Sequence, residues 1–147
     1  MRDMQDGMNG AAVRMVTLTL LADQDYLALA RTSAMHVGAL LFLPLPQVND
    51  LRLAVDEACS SFLKPVPFDV GADDASAATT ETMQLCYDRY PASLHMTVRA
   101  RTPSGWPERD ELRWAMLNSL VDEVRVSERD GIGTLTLVEP LPGLAAS

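Results

Sequence analysis

Apolar and polar positions along the chain fall into two rhythms. Alternating or β-branched runs at Val16 to Leu21, Met83 to Tyr87, Ser93 to Arg101, Val124 to Ser127 and Thr134 to Val138 predict five strands. Three stretches instead repeat their apolar residues every three or four positions, as a helix with one buried stripe requires. The first, Tyr26 to Leu40, has Leu27, Ala30, Ala34, Val37 and Leu41 in register, with Asp23 or Asp25 as its cap. The second is centred on Asp50 to Leu63, with Leu51, Ala54, Val55, Ala58, Cys59 and Phe62 on its stripe. Pro44 and Pro46 stiffen its approach, Pro46 fitting a first helical turn, and the helix is expected to run to Lys64 before Pro65 and Pro67 stop it. The third, Glu108 to Val121, has acids in its first turn and Leu112, Trp114, Ala115, Met116, Leu117 and Leu120 on a broad apolar face.

The connections follow from what is left. Asp88 to Ala92 reads as a hairpin turn and Asp130-Gly131 as another, while Thr102 to Pro107 is a break. Phe68 to Thr80 holds Asp, Ala, Gly, Ser and Thr with almost nothing to bury, and reads as a surface loop. Residues 1–12 and 142–147 read as tails, which leaves one domain over 13–141. The order is strand, helix, helix, strand, strand, helix, strand, strand. It predicts an α+β sandwich, a mixed sheet with helices on one face.

Composition adds limits. A chain of 147 residues, 48% hydrophobic and 22% charged, can bury a single core unaided. No apolar run approaches the roughly 18 residues of a membrane span, and MRDMQDGMNG lacks the basic start and apolar run of a signal peptide, so a cytoplasmic location is expected. A net charge of −8 argues against direct nucleic-acid binding, which needs a basic face. It suits docking on basic partners, and it also serves plain solubility. Cys59 and Cys86 are expected as free thiols, with a disulfide between them as the alternative. His36 and His95 have no second ligand at metal-binding spacing, and Ser60 and Ser61 no His or Asp placed to activate them. Trp106 and Trp114 read as core or rim residues.

Glu57 and Ser61, four apart, sit one above the other beside the stripe of the central helix. LRLAVDEACSSF around them resembles the signature helix of the RsbW-like serine-kinase anti-sigma factors, small relatives of the GHKL (Bergerat-type) ATPases. DQDYLALAR, Asp23 to Arg31, resembles that family's first helix, LNSLVDEVRV its helix-to-strand segment and GTLTLVEPL its last strand. The likeness extends from about Val16 to Leu141. It implies a two-layer GHKL sandwich, and it assigns the general-base position to Glu57 and the magnesium-holding Asn position to Ser61. It also implies a partner-gripping face on the first helix, carried by Tyr26, Leu27 and Arg31.

Where the chain departs from the family, it departs at the nucleotide. Ser61 stands for the Asn and Pro65 for the polar residue after it. Ala100 takes the adenine-binding Asp position, Thr102 and Ser104 those of two glycines, and Glu111 to Arg113 that of a second glycine box. Ala cannot accept the adenine amino proton. Side chains at glycine positions obstruct close backbone approach, and Glu108, Asp110 and Glu111 repel phosphate. The positions between Ala100 and Glu111 are too few for an ATP lid. The resemblance then implies a degenerate member with no bound nucleotide, metal or other cofactor. It would sequester an alternative sigma factor, be released by an anti-anti-sigma (STAS-type) protein, and form a homodimer. An active kinase of the anti-anti-sigma protein, and a decoy that binds only that protein, are the alternatives.

Overall fold

The structure, a computed structural model, describes residues 11–63, 80–108 and 111–142. Five strands form one sheet: β1 (Val13–Leu21), β2 (Thr82–Arg89), β3 (Ser93–Arg101), β4 (Glu123–Arg129) and β5 (Ile132–Pro140), in the spatial order β1-β2-β3-β5-β4. Three helices, α1 (Leu27–Leu40), α2 (Leu45–Ser60) and α3 (Glu111–Leu120), pack on one side of it. The element order is the expected one. The sheet, however, is antiparallel at every neighbouring pair, which corrects the expectation of a mixed sheet. β3, α3 and β4 do form a parallel crossover. β5 returns from its hairpin into the gap between β3 and β4, so their parallel relation never becomes a hydrogen-bonded ladder.

Alternation along the strands decides which side is dry. Met83, Leu85 and Tyr87 of β2, Leu94, Met96 and Val98 of β3, and Leu135 and Leu137 of β5 are buried against the helices. They form one cluster with Leu27, Ala30, Ala34 and Val37 of α1, Leu51, Ala54, Val55 and Ala58 of α2, and Leu117 of α3. The opposite face is wet, as an antiparallel sheet allows. There the Thr97 and Thr136 hydroxyls meet across β3 and β5 at 3.3 Å. β1 and β4 are the edges. β4 is exposed along almost its whole length and has Glu123, Arg125, Glu128 and Arg129 among its seven residues.

The element ends depart from expectation where tertiary pairing overrides local pattern. β1 begins at Val13 rather than Val16, because its first residues pair with the end of β2 across an irregularity between Arg14 and Val16. A 3-10 turn, Gln24–Tyr26, precedes α1, and the Asp23 carboxylate caps it by accepting from the Asp25 N–H at 2.8 Å. α2 holds Pro46 in its first turn but ends at Ser60 rather than Lys64. Phe62 and Leu63 donate their N–H groups three residues back, to Cys59 and Ser60, which tightens the chain out of the helix. α3 is described from Glu111 onward, and residues 109–110 of the expected helix lie outside the described residues. The β2–β3 turn shrinks to residues 90–92, with the Tyr90 N–H donating to the Ser93 carbonyl at 2.7 Å. The β4–β5 hairpin turns at Asp130 and Gly131, whose φ of 54° and 78° are the two positive values that this turn demands and that Asp-Gly supplies. The expected stop at Pro65 and Pro67, residues 68–79 of the expected surface loop, and residues 1–10 and 143–147 of the expected tails lie outside the described residues.

Candidate functional site

The end of α2, the segment after β3, the start of β5 and α3 converge at one corner of the molecule. Glu57 lies where α2 meets α3, and its carboxylate accepts from Arg113 Nε at 3.1 Å, both side chains about a quarter exposed at 27% and 26%. One turn on, Ser61 is 1% exposed. Its hydroxyl donates to the Ala58 carbonyl at 2.7 Å and accepts from the indole N–H of Trp106 at 3.1 Å. The serine proton and a lone pair are both in use.

Trp106 sits at the centre of this corner and is buried. Its ring stacks on Phe62 with centroids 4.9 Å apart and meets Trp114 edge-on at 6.1 Å. The Trp114 indole in turn donates to the Pro107 carbonyl at 2.6 Å. On the sheet side Trp106 lies against Gly133, the second residue of β5. A Cβ at Gly133 would stand 2.8 Å from Trp106 Cη2 and Cζ3 and 2.6 Å from Thr102 Cγ2, so only glycine fits beneath them. Thr102 is held by its own bonds, its hydroxyl donating to Glu128 and its N–H donating to the Gly131 carbonyl at 2.9 Å. Ala100 points into the core, paired across the sheet with Met83 and Gly133.

The structure therefore places two of the sequence-predicted positions, Ser61 and Thr102, beside Trp106, pairs Glu57 with Arg113 one turn before Ser61, and sets Ala100 opposite Gly133 across the sheet. It leaves Ser104 and Glu111 exposed on the surface. Trp106 was read from sequence only as a core or rim residue. The signal that marks it out is a large aromatic inside TPSGWP, a stretch otherwise made of turn formers.

On the α1 side, Tyr26 is 36% exposed. Arg31 Nη1 is 2.8 Å from Asp56 Oδ1 and so ties α1 to α2 while remaining 37% exposed. Leu27 needs correction as a contact residue: it opens the buried stripe of α1 and is 3% exposed, so its side chain supports this face from within. Sequence reasoning missed a more prominent feature at the far end of α1, about 20 Å away. The turn between α1 and α2 presents Leu40, Phe42 and Leu45, with Phe42 90% exposed and held at a φ of 56°. Its signal was LLFLPLP, which holds more apolar residues than two buried stripes can absorb.

Other candidates resolve more simply. Cys59 and Cys86 are free and buried, and burial pushes the Cys59 thiol up, away from reactivity. His95 packs on Tyr90 with centroids 4.3 Å apart, and burial, helped by Arg125, lowers its pKa. Among the described residues no group of three or more His, Cys, Asp or Glu has the arrangement of a metal site, and no helix is long and apolar enough to cross a membrane.

No family model matches the sequence, and no curated protein matches it. In fold, the chain is similar to the crystal structure of the RsbU and RsbW domains of Rv1364c from Mycobacterium tuberculosis, with a TM-score of 0.57 and 18% sequence identity over 86% of this chain. The chain covers 33% of that protein's length as solved. At such identity the likeness is one of fold alone.

Proposed function

We propose that this chain is an anti-sigma-factor-like regulator, which sequesters an alternative sigma factor by protein–protein binding and is released by an anti-anti-sigma (STAS-type) protein, without ATP-dependent kinase activity. The observation that carries this reading is the seat of Trp106 between Ser61, Thr102 and Gly133. The family resemblance assigns Ser61 and Thr102 to the magnesium and nucleotide, and here an indole lies between them. A magnesium ion needs oxygen ligands turned toward it with room for its waters. The Ser61 hydroxyl is committed on both sides, and Glu57, the general-base position, is committed to Arg113. A base must reach the proton it removes, and this carboxylate faces a guanidinium instead. The residues present do not fit a magnesium–nucleotide.

Support for a protein partner comes from the fold likeness and from the surface. Tyr26 just before α1, Arg31 on it, and Leu40, Phe42 and Leu45 at the turn into α2 put aromatic, Arg and aliphatic side chains at the surface of one helical hairpin. Such residues anchor interfaces more often than they serve solubility. Partner exchange then needs only two proteins with overlapping contacts there.

A tagged full chain drawn from native cytosol, with and without Mg-ATP, tests the reading once the captured proteins are identified by mass spectrometry. Equal recovery of a sigma factor in both supports it. Recovery of the anti-anti-sigma protein alone would replace it with the decoy, and recovery that changes sharply with ATP would restore the kinase. With the purified partner, Arg31→Glu and Phe42→Asp are each expected to weaken binding several-fold to a thousand-fold. Unchanged affinity in both variants would move the interface off this hairpin.

A further inference from the structure

The wet face of the sheet carries a cluster that the proposed function does not use. One register row reads Gln84, Arg99, Thr134, Ser127 across β2, β3, β5 and β4. The next reads Arg101, Ile132, Arg129 across β3, β5 and β4. Residues directly opposite one another project from the same side of a sheet. That side is the solvent side, because Val98 and Ala100, which alternate with Arg99 and Arg101, are buried against the helices. Three guanidinium-bearing residues thus flank Ile132 of β5, Arg99 and Arg101 from β3 on one side and Arg129 from β4 on the other. With strands about 4.8 Å apart and two residues spanning about 7 Å, their backbone positions fall within about 12 Å of one another, inside the joint reach of long arginine side chains.

In a chain of net charge −8 this is a local reversal of sign. Arg101 spends part of its charge on Glu81 at 3.3 Å. Among the described residues Arg99 and Arg129 pair with no carboxylate, although both line the same shallow cavity of about 460 Å³. Ser127 and Thr134 add hydroxyls to that cavity, Ile132 gives it an apolar floor, and Asp130 is the one carboxylate on its rim.

We infer that this corner of the open sheet face is an oxyanion site that takes a phosphoryl group. Each guanidinium offers a rigid fork of N–H donors, and the two hydroxyls can donate between them. A phosphate monoester brings three acceptor oxygens and enough charge for two forks. A carboxylate brings two oxygens and leaves one fork idle beside Asp130. A free small phosphate and a phosphorylated side chain share this chemistry. The assignment rests on the geometry of the face and stands independently of what the helical side binds.

The test is an NMR titration of the ¹⁵N-labelled full chain with inorganic phosphate, with O-phosphoserine, and with sodium chloride at matched ionic strength. Saturable shifts are expected at the Arg99 and Arg129 Nε–Hε groups and at the Ser127 and Thr134 amides, with both phosphate probes and not with chloride. The double variant Arg99→Gln, Arg129→Gln should bind at least tenfold more weakly at an unchanged melting temperature, since both side chains are exposed. Tighter binding of O-phosphoserine than of inorganic phosphate would support the site with a modified side chain as the source, and equal binding would support it with free phosphate. Shifts that chloride reproduces, that never saturate, or that persist in the double variant would overturn the assignment.

Discussion

Glu139 stands on the inner face of β5, 5% exposed, with one carboxyl oxygen buried and without a hydrogen-bond partner among the described residues. Burial pushes its carboxyl up to about 7; a Gln47 hydrogen bond works against this, while Asp50 and Asp122 add to it. The unfolded chain releases that proton near 4.5, so between the two values the folded state holds a proton that the unfolded state has lost. Stability from this group is full below about pH 4.5 and falls as pH rises through about 7, by about 3 kcal/mol in all. Urea midpoints measured from pH 5 to pH 8 should therefore decline, and Glu139→Gln should flatten the decline; an equal slope in the variant would place the titration elsewhere. Trp106 makes a second residue-scale prediction. Trp106→Ala is expected to cost about 3–5 kcal/mol as a core truncation. Gly133→Ala should cost about 1–3 kcal/mol by overpacking, because the ring it strikes is fixed by its bond to Ser61. Denaturant melts of both variants check this, and a neutral Gly133→Ala would mean that the indole is free to move.

At the scale of elements, the helices were legible in the sequence and the sheet only in part. The stripes of α1 and α2 could be read because each is a local repeat, and Pro46 and Asp23 marked their starts by chemistry that acts within a few residues. Strand order depends on which chain segment returns to which gap, and nothing in Ile132 to Pro140 says that β5 inserts between β3 and β4. The candidate corner divides in the same way. The spacing of Glu57 and Ser61 put them on one face and the resemblance of LRLAVDEACSSF marked them as candidates, whereas Trp106 lies 45 residues from Ser61 and joins them only through the fold. The Arg31–Asp56 pair, also unseen in the sequence, links α1 to α2 and gives a way to separate stability from binding. Arg31→Ala should cost less than about 1 kcal/mol, as half-exposed pairs do. The exchange Arg31→Asp with Asp56→Arg should restore that stability but not partner affinity. If the exchange restored both, Arg31 would act on the partner only by holding the hairpin together.

Taken whole, the molecule keeps its two sides apart, with helices, the Trp106 corner and the apolar turn on one, and threonines and arginines on the other. A ligand present at 100 times its dissociation constant would stabilise the chain by about 2.7 kcal/mol, enough to move a melting curve by several degrees. Millimolar Mg-ATP is expected to move it by less than about 1 °C, and a shift of several degrees would bring the nucleotide back. β4 carries a consequence of another kind. An edge strand offers free backbone groups to any chain that can lie alongside, the first step toward fibrils. β4 meets that hazard with Glu123, Arg125, Glu128 and Arg129, which would face their own like charges in a parallel, in-register stack of identical strands. The protein should therefore stay dispersed when concentrated or stored, despite an open sheet face, and neutralising those four side chains should be the shortest route to making it polymerise.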